Sequence, residues 1–284
     1  MLPGGWRLTD DLPSGRSNMS VLNRKYQVNH QAFVDAPSNP ITAYWIGFLM
    51  ADGSVGISKK GQHTLKLYLS EKDINHVRSF LEFLKSDYPI RTVLNDRGYN
   101  GSKPLAGITI TSKDLVGSLS LYGVVPRKSE TAKVKLLQNN HHFWRGCFDG
   151  DGHIFITEGY PHIGLSGSLD LIQQFASFVK YSTNIKISVT KNNSIWAAKT
   201  SGERAAKVVK CLYSNSSVCL ERKRVIANKV IDWKSSKPDR SLWTFDFLCE
   251  QKKIHKTWAN TGTALGVSAN TLAVRFYQLK HKGA

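Results

Sequence analysis

The chain has 284 residues, 41% hydrophobic and 10% aromatic, enough apolar side chain to build packed cores and to exclude a disordered polymer. Lysine and arginine number 39 against 21 aspartates and glutamates, a formal net charge of +18. That excess points to a polyanionic partner, nucleic acid ahead of an anionic membrane surface. No run of about 18 apolar residues occurs, so no membrane span is expected. The opening segment, MLPGGWRLTDDLPSGR, lacks the apolar centre of a secretory signal. Cys147, Cys211, Cys219 and Cys249 show no C-x-x-C spacing, so reduced thiols in a cytoplasm are expected and a zinc site is not.

Residues 1–40 are rich in Pro, Gly, Ser and Asn around a basic centre at Arg16, Arg24 and Lys25, and read as an arm or small accessory element. Pro40 precedes a helix expected over Ile41 to Asp52. Beyond Gly53 the pattern alternates: Leu65, Leu67 and Leu69 against Thr64, Lys66, Tyr68 and Ser70, the period of a half-buried strand. Ile74, Val77, Phe80, Leu81 and Leu84 then recur at helical spacing. Strand-like runs follow in PIRTVLNDR and AGITITS, and a short helix, KDLVGSLSLYG, ends at Gly123, a C-cap residue.

The order then repeats. A helix is expected over His141 to Asp151, strands in HIFITE and HIGLSG, and a helix from Leu169 to Tyr181. Strands in NIKISVTK and SIWAAKT and a helix in GERAAKVVKCLY complete it. Each unit reads α-β-β-α-β-β-α, the first over residues 41–140 with its linker and the second over 141–236. Residues 237–284 form a separate tail. In it, Ala264-Leu265-Gly266-Val267-Ser268 has the form of a helix-turn-helix turn: Gly266 permits the turn, Ser268 caps the next helix, and Leu272 and Phe276 face back. The alternative is two helices packed on the body.

The repeat is sharpest in WIGFLMADG (Trp45 to Gly53) and WRGCFDGDG (Trp144 to Gly152), whose Asp-Gly endings lie 99 residues apart. An Asp at a helix C-terminus is disfavoured by roughly 0.3–1 kcal/mol. Asp52 and Asp151 both accept that cost. Gly47 and Gly146 sit in mid-helix, where Gly costs about 1 kcal/mol relative to Ala. The cost makes sense if the two helices cross there with backbones nearly touching. The crossing would bring Asp52 and Asp151 together, and two close carboxylates call for a divalent cation such as Mg²⁺. Asp149 should face elsewhere on its helix, in a solvated or packing role.

These nonapeptides resemble the two LAGLIDADG motifs of single-chain LAGLIDADG homing endonucleases. Met50 replaces the first Asp of the motif in one copy; Arg145, Cys147 and Gly150 depart from it in the other. The resemblance spans about residues 40 to 233 and implies an α+β fold, a pseudo-twofold pair of units whose two antiparallel sheets form a saddle on DNA. It implies Mg²⁺-dependent double-strand cleavage at a long asymmetric site, with Asp52 and Asp151 as the catalytic and metal-binding acids. The family adds a basic residue per half that organises the hydrolytic water. Lys128 and Lys223, 76 and 72 residues beyond the acids, are the candidates, with Arg127, Arg222 and Arg224 as adjacent rivals.

Lys66, Arg91, Arg97, Lys186, Lys191 and Lys199 lie in or beside the strands and are the candidates for phosphate or base contact. The expected partner is double-stranded DNA bound by a monomer, with no membrane role. Two other readings share the scaffold: an RNA-splicing maturase with intron RNA as partner, and a non-catalytic DNA-binding regulator reading through the tail.

Overall fold

The computed structural model of the chain describes residues 25–95, 103–128, 131–235 and 242–281. Helix α1 (Pro40–Ala51) starts on Asn39, whose side-chain oxygen accepts from the Ile41 and Thr42 amides at 3.0 and 3.3 Å. Helix α4 (His141–Asp151) starts the same way on Asn140, which accepts from His142 and Phe143 at 2.9 and 3.1 Å. Such caps satisfy amides that the first turn leaves open. Residues 42–50 of α1 and 143–149 of α4 are all buried, so both helices are central rather than surface elements.

Around α1 the first unit adds strands β1 (Gly53–Ile57) and β2 (His63–Ser70), helix α2 (Ile74–Phe83), strands β3 (Arg91–Asn95) and β4 (Lys103–Thr111), and helix α3 (Lys113–Leu121). The second unit follows α4 with β5 (Gly152–Thr157), β6 (Tyr160–Gly167), α5 (Leu169–Thr183), β7 (Ser188–Asn192), β8 (Ile195–Ser201) and α6 (Gly202–Tyr213). Both sheets are four-stranded and antiparallel, in the orders β1-β2-β4-β3 and β5-β6-β8-β7. The class is therefore α+β, built twice. Their registers also correspond. Gly53 pairs with Leu67 and Leu67 with Ile108; Gly152 pairs with Leu165 and Leu165 with Ala198. One apolar core, running from Phe33 and Trp45 through Phe148 to Val230, joins the two units.

Three features differ from the expectation drawn from the sequence. Residues 25–39 are not a separate arm: Phe33 and Ala36 are fully buried, and the Asn29 amide donates to the Leu84 carbonyl at 2.8 Å. Strand β7 begins at Ser188 rather than Asn184, because Asn184 takes a left-handed conformation (φ 57°) and ends α5. A further helix, α7 (Glu221–Ile231), follows α6. Its buried positions are Lys223, Ala227 and Val230, and the lysine at the head of that series disguises its helical periodicity.

The tail folds as α8 (Phe245–His255), α9 (Trp258–Ala264) and α10 (Ala269–Lys280) around its own small core of Trp243, Leu248 and Leu272. Gly266 has φ +65°, Ser268 accepts from the Thr271 amide at 3.2 Å, and Leu272 and Phe276 turn inward. Among the described residues no helix is long and apolar enough to cross a membrane.

Candidate functional site

The site is built on the contact between α1 and α4. A Cβ added to Gly47 would lie 1.9 Å from the Phe143 carbonyl oxygen, and one on Gly146 would lie 2.1 Å from that of Tyr44. Any side chain at either position would drive the helices apart. At the lower end of the pair, a Cβ on Gly150 would sit 2.3 Å from the Ala51 Cβ and 3.2 Å from Asp52 Oδ2. This explains why the second motif departs from Ala at that position. It also places the Asp52 carboxylate against the turn that carries Asp151.

Both aspartates stay exposed at the helix ends, yet they sit in a crowded rim. Partial loss of hydration pushes Asp52 up to about 6, and the charge of Asp151 pushes the same way; Lys223, Lys128 and Arg222 pull it down. Asp151 is also raised by desolvation, with Lys128 and Lys223 opposing. Because both carboxylates face solvent, these shifts matter more for competition between proton and cation than for folding energy.

Lys128 and Lys223 approach the acids from behind. Each is buried, at 8% and 4% exposure. Lys128 Nζ donates to the Ala51 carbonyl at 3.1 Å, at the end of α1. Lys223 Nζ reaches the carbonyls of Phe148, Asp149, Gly150 and Gly152 at 2.7, 2.6, 3.2 and 2.5 Å, at the end of α4. Helix C-termini present unpaired carbonyls and negative partial charge, which an ammonium satisfies. Burial lowers both lysines, Lys223 to about 8, while the neighbouring carboxylates hold them up. None of the three arginine alternatives takes this place. Arg222 pairs with Asp73 at 3.1 Å, Arg224 with Glu221 at 2.5 Å, and Arg127 is exposed.

Asp149 and Arg145 were not among the candidates, and both are fully buried. The Asp149 carboxylate accepts from the Tyr44 hydroxyl, the Tyr213 hydroxyl and the Leu220 amide at 2.8, 2.5 and 2.7 Å. Arg145 donates to the Val218 and Leu212 carbonyls at 3.0 and 3.3 Å and lies over the Tyr44 ring. A solvated role for Asp149 is thereby excluded. The signal was in the sequence: Arg145 and Asp149 stand one helical turn apart, where the first motif has Ile46 and Met50.

On the sheets, the faces turned away from the core carry the polar residues. Lys66 is exposed between Ser54 of β1 and Thr109 of β4. Arg91 is exposed opposite Gly107, in the same row as Tyr68. By register Gly164 takes the place of Lys66 and Lys199 the place of Thr109, so each half has one lysine in this pair of positions, on different strands. Lys186 is exposed but precedes β7. Lys191 differs from Lys199 in direction: it pairs with Trp196, whose face is the core side, and its ammonium lies 5.9 Å from that ring. It faces a cleft of about 820 Å³ that Lys128, Asp151, Met50 and Trp196 also line. Arg97 lies outside the described residues. Sequence reasoning also passed over His153, Phe155 and His162, whose rings stack along the outer face of the second sheet, Phe155 and His162 at 5.2 Å. Alternation in HIFITE could have found the first two.

Comparison with solved structures finds the same architecture. The homing endonuclease I-WcaI bound to its DNA recognition sequence is similar over 75% of this chain and 95% of its own, at 12% identity and a TM-score of 0.53. The LAGLIDADG meganuclease I-AabMI bound to uncleaved DNA is similar over 68% and 89%, at 14% identity and a TM-score of 0.47. The N-terminal LAGLIDADG domain of DUF199/WhiA is similar over 69% and 93%, at 14% identity and a TM-score of 0.43. No protein-family model and no curated protein sequence matches the chain.

Proposed function

We propose that this chain, which has the fold of the LAGLIDADG homing endonucleases, is a divalent-metal-dependent endonuclease that cuts both strands of a long, asymmetric DNA site. The observation that carries the proposal is the doubled helix end: an acid at the foot of α1 and of α4, each with a buried lysine on the carbonyls behind it. A DNA-binding regulator has no use for two crowded, mutually repelling carboxylates.

The donor set suits a hard cation. Two carboxylates from different helices are offered, and their repulsion and lost hydration would be relieved by a divalent charge between them. Among the described residues no group of three or more His, Cys, Asp or Glu side chains is placed to hold a metal. Two carboxylates, with water and phosphate oxygens completing the shell, is the arrangement Mg²⁺ favours. Bound at Asp52 and Asp151, Mg²⁺ would supply a Lewis acid for the phosphodiester and an acidified water.

The chain's own groups set the stage for that chemistry. Asp52, held up to about 6, is anionic at neutral pH, and with Asp151, raised in the same direction by lost hydration, it would orient the cation. Lys223 has its three N–H donors committed to four carbonyls, so its part is to hold the acid-bearing turn and add positive charge. Lys128 makes one such bond among the described residues and lines the cleft beside Asp151, where it would meet a water or a phosphate oxygen. The outer faces of the two sheets would meet the major groove and phosphates, and their unequal residues call for an asymmetric target. The tail, with Lys252, Lys253, Lys256 and Lys280 exposed, would add phosphate contacts beyond the central site.

Selection of cleaved sites from a random duplex library in Mg²⁺, with the ends mapped, tests the reading. Paired cuts within one recurrent sequence are expected from the wild type and none from Asp52→Asn. Undiminished cutting by that variant would refute the assignment.

A further inference from the structure

Asp149 joins elements from both halves of the molecule. Tyr44, which donates to it, belongs to α1; since its single hydroxyl hydrogen goes to Asp149, His76 Nε2 must donate to the Tyr44 oxygen, at 2.9 Å. His76 is held neutral by burial, down to about 4. Tyr213 closes α6 onto the same carboxylate, and Leu220 is the residue from which α7 springs. Three residues on, Lys223 turns back and donates to the Asp149 carbonyl. The side chain of Asp149 thus fixes the start of the helix whose lysine grips the backbone of Asp149. Among the described residues the first half has no counterpart: Met50 occupies the position there, and Lys128 bonds to α1 at Ala51.

We propose that Asp149 is a positioning residue for the Asp151–Lys223 pair alone, so that its loss uncouples the cutting of the two DNA strands. The inference rests on the nuclease reading above. Its physical basis is lopsided support: removing the Asp149 carboxylate frees Leu220 and α7, which moves Lys223 and the turn bearing Asp151, whereas on α1 the Tyr44 hydroxyl loses its acceptor but Lys128 keeps its bond to Ala51 beside Asp52. A merely structural residue at the helix interface would weaken both halves together.

The test uses the full chain, Mg²⁺ and a supercoiled plasmid carrying the selected target. Asp149→Asn keeps the shape and one acceptor oxygen; Tyr213→Phe removes one donor and leaves the carboxylate, in case the first variant folds poorly. With target binding and melting temperature followed in parallel, Asp149→Asn is expected to accumulate a nicked circle. One strand should be cut near the wild-type rate and the other slowed about tenfold or more. End-labelling should map the slow strand to the one that Lys223→Met also slows, and Tyr213→Phe should show a weaker bias of the same sense. Equal slowing of both strands, or no slowing in either variant, would overturn the proposal. A wild-type protein that cuts no duplex would instead sink the nuclease reading, and this inference with it.

Discussion

Gly47 packs against Phe143 so tightly that a Cβ there would stand 1.9 Å from the Phe143 carbonyl oxygen. Two effects oppose each other in Gly47→Ala. Helix propensity favours Ala by about 1 kcal/mol. Overpacking costs typically about 1–3 kcal/mol and more when the obstacle is backbone, which cannot rotate away. The steric cost wins here, so Gly47→Ala and Gly146→Ala should each lower the midpoint of denaturant unfolding. They should also slow cleavage, because separating the helices separates Asp52 from Asp151. An unchanged midpoint would mean that the helices do not cross at these glycines.

The raised pKa of Asp52 makes a prediction about pH. Its folded value, about 6, lies above the unfolded value of 3.8, so folding favours the neutral acid. The stabilisation from this group is present below the unfolded value, fades as pH rises toward 6 and is absent at pH 7. In metal-free protein at pH 7, Asp52→Asn should therefore melt slightly higher than wild type, with the gap closing toward pH 4. Mg²⁺ should raise the wild-type melting temperature more than that of the variant. Thermal scans at pH 4, 5.5 and 7, with and without Mg²⁺, decide it.

The two lysines should fail differently. Lys128→Met removes the bond to Ala51 and the ammonium that lines the cleft beside Asp151, so cleavage should fall by roughly 10²-fold with little change in stability. Lys223→Met leaves four carbonyls without their partner, so it should lower stability as well as activity. Single-turnover cleavage beside urea denaturation separates the two patterns; identical losses in both measurements would contradict the distinction.

Salt dependence reports on the sheet face. If Lys66 and Lys199 each meet one phosphate, Lys66→Ala and Lys199→Ala should each reduce the slope of log affinity against log salt by about 0.9. Lys191 faces the cleft beside Asp151 instead. Its replacement should change cleavage more than the salt slope, read from fluorescence anisotropy at 50 to 200 mM salt.

Much of this is legible in the order of residues alone. The repeat, the twin Asp-Gly helix ends and the costly mid-helix glycines are local features, and local chemistry accounts for them: a helix takes Gly or a terminal Asp only under outside compulsion. Alternation in QHTLKLYLS likewise assigned Lys66 to the exposed face correctly, because strand parity needs no partner. The same parity puts Lys191 with Val189 on the core side, so its place among the outer-face contacts is corrected by an alternation already present in NIKISVTK.

By itself, then, the order of residues determined that two like units exist, which side chains end their central helices, and which strand faces are polar. Only the tertiary structure showed that Lys128 and Lys223, rather than the arginines beside them, reach the carbonyls at the helix ends, and that of the solvated and packing roles open to Asp149 the buried one holds. The reason is range. Periodicity and capping act within a turn or two of chain, whereas Asp149 is defined by Tyr44, Tyr213 and Leu220, which lie 105, 64 and 71 residues away and meet it only when both halves close.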